Sequence, residues 1–152
     1  MATTDVDLYR SLMGAASKLK VRDGTPDAGM LDPRWEATTF KSQGVTKVSN
    51  ADVSFVTGPT GLPLVDNNGK GTSLHDISKW FNCAEFYIPQ GTEYSDEILI
   101  VKDRYQKTCK DGRQGYHYML TARTRMTRQT FSGYLDNMAR AAVVRQVELA
   151  TS

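Results

Sequence analysis

The chain has 152 residues, 39% of them hydrophobic and 24% charged. That is the size and balance of one globular domain, spanning 1–152 and able to bury roughly 70% of the surface its unfolded form exposes. No apolar run approaches the ~20 residues of a membrane span. Met1–Asp7 offers neither a basic n-region nor an apolar h-region, so a cytoplasmic protein is expected, or one exported by a route that needs no signal peptide. The net charge of +2 is unevenly spread: residues 1–101 hold 9 Lys/Arg against 13 Asp/Glu, and residues 102–152 hold 10 against 4. A last third carrying +6 attracts anions, whether a phosphorylated ligand, nucleic acid or an acidic partner protein.

In chain order, Asp7–Met13 reads as a first strand with Arg10 near its end. Residues 14–30, rich in Gly, Ala, Ser and Asp, read as a mobile connection. Asp32 before Pro33 is an N-cap and N1 pair, predicting a short helix over Pro33–Phe40. Asp52–Val56 is a strand closed by Gly58-Pro59, and Leu62–Val65 is a brief apolar segment ahead of the turn Asp66-Asn67-Asn68-Gly69. Thr72 or Ser73 then caps a predicted helix over Leu74–Phe81, with Asp76 in its first turn. Ala84–Ile88 is a strand ended by Pro89, Glu97–Val101 another, and Tyr116–Ala122 a third. Met126–Leu149 has the helical spacing Phe131, Tyr134, Leu135, Met138, Ala142, with Thr124 or Thr127 as cap. Strands that do not alternate regularly with helices point to an α+β fold.

Candidate chemistry sits in three places. Arg10, at the end of an apolar strand, is either a structural cation or a bidentate anchor for phosphate. Gly71 delivers the hydroxyls of Thr72 and Ser73 at a turn, where a plain N-cap explains one of the two. His117, between Tyr116 and Tyr118, is a satisfied strand histidine or a site residue; the tyrosines are core or a stacking platform. A phosphate loop fails, because Lys70 is followed by Gly71 and Leu64 stands where G-x-x-x-x-G-K-S/T needs glycine. A nucleophile elbow fails because His75 takes the place of its last glycine, and Ser73 is too close to His75 for a relaxed pair. Cys83, Cys109, His75 and His117 lack the close pairing of a structural zinc site, so no metal is expected and the thiols read as reduced.

Taken in order, Leu8-Tyr9-Arg10, Lys70-Gly71-Thr72-Ser73-Leu74-His75-Asp76, Ile88-Pro89-Gln90-Gly91-Thr92, Asp103, His117-Tyr118 and Tyr134-Leu135-Asp136-Asn137 form a pattern. The chain resembles the family of the second of the Tse effectors, exported cytotoxins of the bacterial type VI secretion system with an ADP-ribosyltransferase-like fold. The resemblance implies two small sheets around a cleft with flanking helices and a long C-terminal amphipathic helix, with NAD as substrate and an unidentified macromolecular acceptor. It also implies an immunity protein as partner. Carried over, the site comprises Arg10, Thr72, Ser73 and His117, with Gly71, Tyr118 and Tyr87 against NAD. Transferases of this fold use a late glutamate; no Glu lies in Tyr116–Ala122, and Glu93, Asp103 and Glu148 are the acids to choose from. Two other functions stay open at this point. One is a relative that binds NAD without turning it over. The other is a nucleic-acid or protein-binding module using Arg113, Arg123, Arg125, Arg128, Arg140 and Arg145.

Overall fold

The computed structural model describes residues 1–152. Its centre is one antiparallel five-stranded sheet built from β1 (Leu8–Leu12), β2 (Gly71–His75), β3 (Ala84–Ile88), β4 (Ile98–Lys102) and β5 (His117–Ala122). The spatial order is β3-β1-β2-β5-β4. One long helix, α1 (Arg128–Thr151), follows. Five two-stranded ribbons surround this frame. The resulting α+β architecture keeps the mixed class expected from sequence, but as a single larger sheet with ribbons and one α-helix instead of two small sheets flanked by helices.

Register decides which residues share a face, because residues directly opposite in an antiparallel pair point the same way. Leu8, Leu12, Leu74, Phe86, Ile88, Ile98 and Leu120 fall on one face and are buried. The helix covers that face with Phe131, Leu135, Met138 and Ala142, all at most 1% exposed. Thr127 caps α1 by accepting from the Thr130 amide at 3.2 Å. The opposite face carries Tyr9, Ser73, His75, Tyr87 and His117 and receives no helix.

Two predicted helices are absent. Thr38–Ser42 pairs with Val45–Ser49 as a hairpin, closed by Gln43 and Gly44 at φ 54° and 77°, the left-handed pair that a tight two-residue turn requires. The β-branched Thr38, Thr39, Val45, Thr46 and Val48 favour the ribbon, and the Asp32 carboxylate accepts instead from Ser132 Oγ at 2.7 Å. The second, Leu74–Phe81, is replaced by β2 followed by turns, so no helix dipole faces Thr72 and Ser73. Asp76 accepts from the Tyr116 amide at 2.8 Å and ties the strand end to β5 instead of neutralising a helix start. The segment 14–30 is more ordered than its composition implies. It holds a 3-10 turn at Gly14–Lys18 and a ribbon of Val21–Arg22 with Thr25–Pro26, and it delivers Met30 and Leu31 into the core.

Candidate active site

The sheet is weakest at its middle. β1 and β2 share a single register pair, Tyr9 with His75, whereas β2 and β5 pair at five positions. Where β1 and β2 part, the Arg10 guanidinium takes over the missing ladder bonds. Nη1 donates to the Ser73 carbonyl at 3.2 Å and Nη2 to the Asp32 carbonyl at 2.9 Å. No carboxylate pairs with it, and its Nε is buried without a partner. Burial pulls the guanidinium below its ordinary value; Asp52 and Asp32 oppose that pull and Arg34 adds to it. Arginine keeps its proton under such pressure, so the seam holds a positive charge with no carboxylate in direct contact.

On the open face the register lines up Tyr87, Tyr9, His75 and His117 across four neighbouring strands. Tyr87 and Tyr9 stack at 5.3 Å with 17° between planes. His75 stacks on Trp80 at 4.3 Å and 12° and lies 5.2 Å from His117. Burial lowers the His75 pKa to about 4, with repulsion from His117, Lys107 and Arg10 adding to the effect against attraction from Asp103. At neutral pH His75 is therefore an uncharged ring.

His117 is held at both nitrogens. Its Nε2 is hydrogen-bonded to Ser73 Oγ, and its Nδ1 lies 2.9 Å from Asp103 Oδ2. Lys107 Nζ approaches the same carboxylate oxygen at 3.3 Å. Burial raises the Asp103 carboxyl, and the hydrogen bonds and charges of His117 and Lys107 more than offset this, leaving it below the usual range. An ionised carboxylate only accepts, so Nδ1 carries a proton; in the neutral ring Nε2 is then the acceptor and Ser73 the donor. Ser73 and His75 are too close in the chain to pair, but the fold builds a Ser–His–Asp chain with the other histidine. The sequence does not single out Asp103, because its partner lies 14 residues away across the β4–β5 connection.

The sequence-predicted residues divide between the two faces. Ser73 and His117 meet on the open one, and Tyr87 stands at the far end of the same row. Arg10 belongs by register to the helix-covered side and reaches Ser73 through the backbone, not through the hydroxyl. Thr72 is fully buried, donating to the Leu31 carbonyl at 2.6 Å. Tyr118 is on the covered side, 7% exposed, with Lys102 Nζ 6.0 Å from its ring centre. Gly71 supports the strand pair, since a Cβ there would strike the Leu120 carbonyl oxygen of β5. Glu93 is exposed beside Thr3, and Glu148 pairs with Arg145 on the helix surface at 3.1 Å.

The two main cavities lie away from the Ser73–His117 pair. A cavity of about 620 Å³ lies between the N-terminal segment and the end of α1, lined among others by Asp5, Asp7, Tyr87, Gln90 and Arg145. One of about 310 Å³ lies among Asp5, Tyr94, Ile100, Lys102 and Tyr118. Neither is lined by Ser73, His117 or Arg10, so convergent polar groups, not the larger hollow, locate the candidate site; Tyr87 alone belongs to both the row and the larger cavity. Six of the seven arginines of the basic last third are engaged by other groups of the chain. Arg113, Arg123 and Arg145 donate to backbone carbonyls, Arg125 and Arg128 pair with Asp66 and Glu36, and Arg140 bonds Asn137. No helix is long and apolar enough to cross a membrane.

Residues 6–147, which include Arg10, Ser73, Asp103 and His117, match the Tse2 ADP-ribosyltransferase toxin family. The chain is also 32% identical over 114 residues to the Pseudomonas aeruginosa protein named Toxin Tse2, an alignment covering 74% of this chain and 68% of that one. The chain therefore belongs to the Tse2 ADP-ribosyltransferase toxin family and is a cytotoxic enzyme of the ADP-ribosyl-transferring class.

Proposed function

We propose that the open face of the central sheet binds NAD and transfers its ADP-ribose to a macromolecular acceptor, with Ser73 and His117 at the reacting end. The observation that carries this is the meeting of Ser73 Oγ with His117 Nε2 on strands drawn from opposite halves of the chain, with the part-buried Arg10 guanidinium on the Ser73 carbonyl. Ser73 contacts the nicotinamide ribose. Arg10 fixes the main chain behind Ser73 and supplies the positive field that draws the diphosphate. The row from His117 to Tyr87 spans three strand spacings, ~15 Å, and offers rings against which the flat ends of an extended dinucleotide lie. Thr72 acts by bracing β2 against Leu31, and Gly71 by letting β5 approach. Tyr118, on the covered side, has no part in this arrangement.

In this proposal the toxin acts on an intracellular target after export, and an immunity protein neutralises it in the producing cell. The test is transfer of label from NAD into a cell extract by wild-type protein, Ser73→Ala and His117→Ala. Label transfer by wild type and its loss in both variants, with unchanged melting temperatures, supports the proposal. Equal transfer by all three proteins contradicts it.

A further inference from the structure

We propose that Asp103 is the acid of this site, acting as a positioning residue: it fixes His117 in the Nδ1–H tautomer so that Nε2 draws the proton of Ser73. The inference rests on the ADP-ribosyl-transfer reading above and deepens it. Three acids stand in the chain where a late glutamate is missing. Glu93 and Glu148 lie on the surface, away from Ser73, and Asp103 alone reaches it, through one imidazole. Nucleophile or relay hydroxyl, base, and a carboxylate that orients the base is the arrangement by which a weakly acidic hydroxyl is activated.

The surroundings of Asp103 favour the same role. Lys107 holds the carboxylate from the solvent side, which keeps it ionised and stops it rotating away from the ring. His75 flanks His117 as an uncharged neighbour stacked on Trp80, so it adds no second cation when His117 takes up a proton. Arg10, behind Ser73, favours a hydroxyl that carries developing negative charge. The proton therefore has one defined path: as the acceptor's hydroxyl or amine attacks the ribose carbon and the nicotinamide departs with the electron pair of the broken C–N bond, the acceptor gives its proton to Ser73 Oγ. Ser73 in turn passes its own proton to His117 Nε2. The imidazolium, stabilised by Asp103, returns that proton to water.

Only two histidines are present, so imidazole nitrogen-15 NMR reports on His117 directly, with His117→Gln assigning the signal. In unliganded wild-type protein at pH 8 the ring is expected in the Nδ1–H form, and Asp103→Asn is expected to lose that preference. In the NAD reaction, Asp103→Asn should lower kcat by about 10²–10⁴-fold, the range seen when an acid–base partner is misoriented, with the KM for NAD essentially unchanged; Asp103→Glu, which keeps the carboxylate, should recover part of the rate. A wild-type ring in the Nε2–H form, or wild-type kcat in Asp103→Asn, overturns the proposal. Should wild-type protein show the Nδ1–H signal yet consume no NAD, the tautomer assignment stands supported, and the failure falls on the NAD reading.

Discussion

The two faces of the central sheet are built from alternate residues of the same strands yet obey different rules. The side under α1 is apolar and sealed, with Phe131, Leu135, Leu74 and Leu120 withdrawn from water. The other side holds histidines, a serine and tyrosines across the split between two strands. Dry packing of the first supplies the rigidity that lets the second keep arrangements costly in isolation, such as the hydrogen-bonded chain of Ser73, His117 and Asp103. Thr72 and Ser73 show the contrast most sharply: adjacent hydroxyls, one bonded into the core and one facing His117.

The comparison breaks first where packing is removed. Phe131→Ala, which empties a fully buried site beside Trp35, should cost about 3–5 kcal/mol in a denaturant titration. If the loss is well below that, the helix is not what holds the covered face. An intermediate effect is expected from pH. His75 has a folded-state pKa of about 4, against ~6.5 in an unfolded chain. The unfolded state then binds more protons between those values, so the stability is complete above the upper one and is lost as pH falls towards the lower. The loss should be on the order of 3 kcal/mol. Melting curves from pH 7 to pH 4 should show this slope, and His75→Gln should flatten it. The smallest change, Thr72→Val, leaves the Leu31 carbonyl without its donor and should cost about 1–3 kcal/mol. Its rate of ADP-ribosyl transfer should remain near wild type at temperatures where it is folded.

What sequence reveals here is what local residues decide. Ala84–Ile88 ends where Pro89 removes a ladder donor, as read. The long helix follows its apolar spacing and begins after the Thr127 cap, and Tyr116–Ala122 is a strand but for its first residue. The misread segments are those where a local cue lost to a distant one. Asp32-Pro33 has the form of a helix start, but Gln43-Gly44 closes a hairpin on the residues beyond it. Thr72, Ser73 and Asp76 look like a capped first turn, but Leu74 is wanted in the sheet core and Thr72 by Leu31, 41 residues back. In the same way Ser73, Arg10 and His117 could be picked out as polar residues at strand positions, whereas their division between two faces follows from register, which no local signal carries. Asp103 could be named among three acids and not chosen, because the choice depends on which one the β4–β5 connection folds towards His117.

The central claim is that Ser73, not its buried neighbour, performs the chemistry. The most direct measurement is the rate of label transfer from NAD by Ser73→Ala and Thr72→Val, each compared with wild type at a temperature where all three are folded. The account predicts that Ser73→Ala loses about 10²–10⁴-fold in rate with little change in melting temperature, while Thr72→Val melts earlier and transfers at nearly the wild-type rate. Wild-type transfer by folded Ser73→Ala would contradict it.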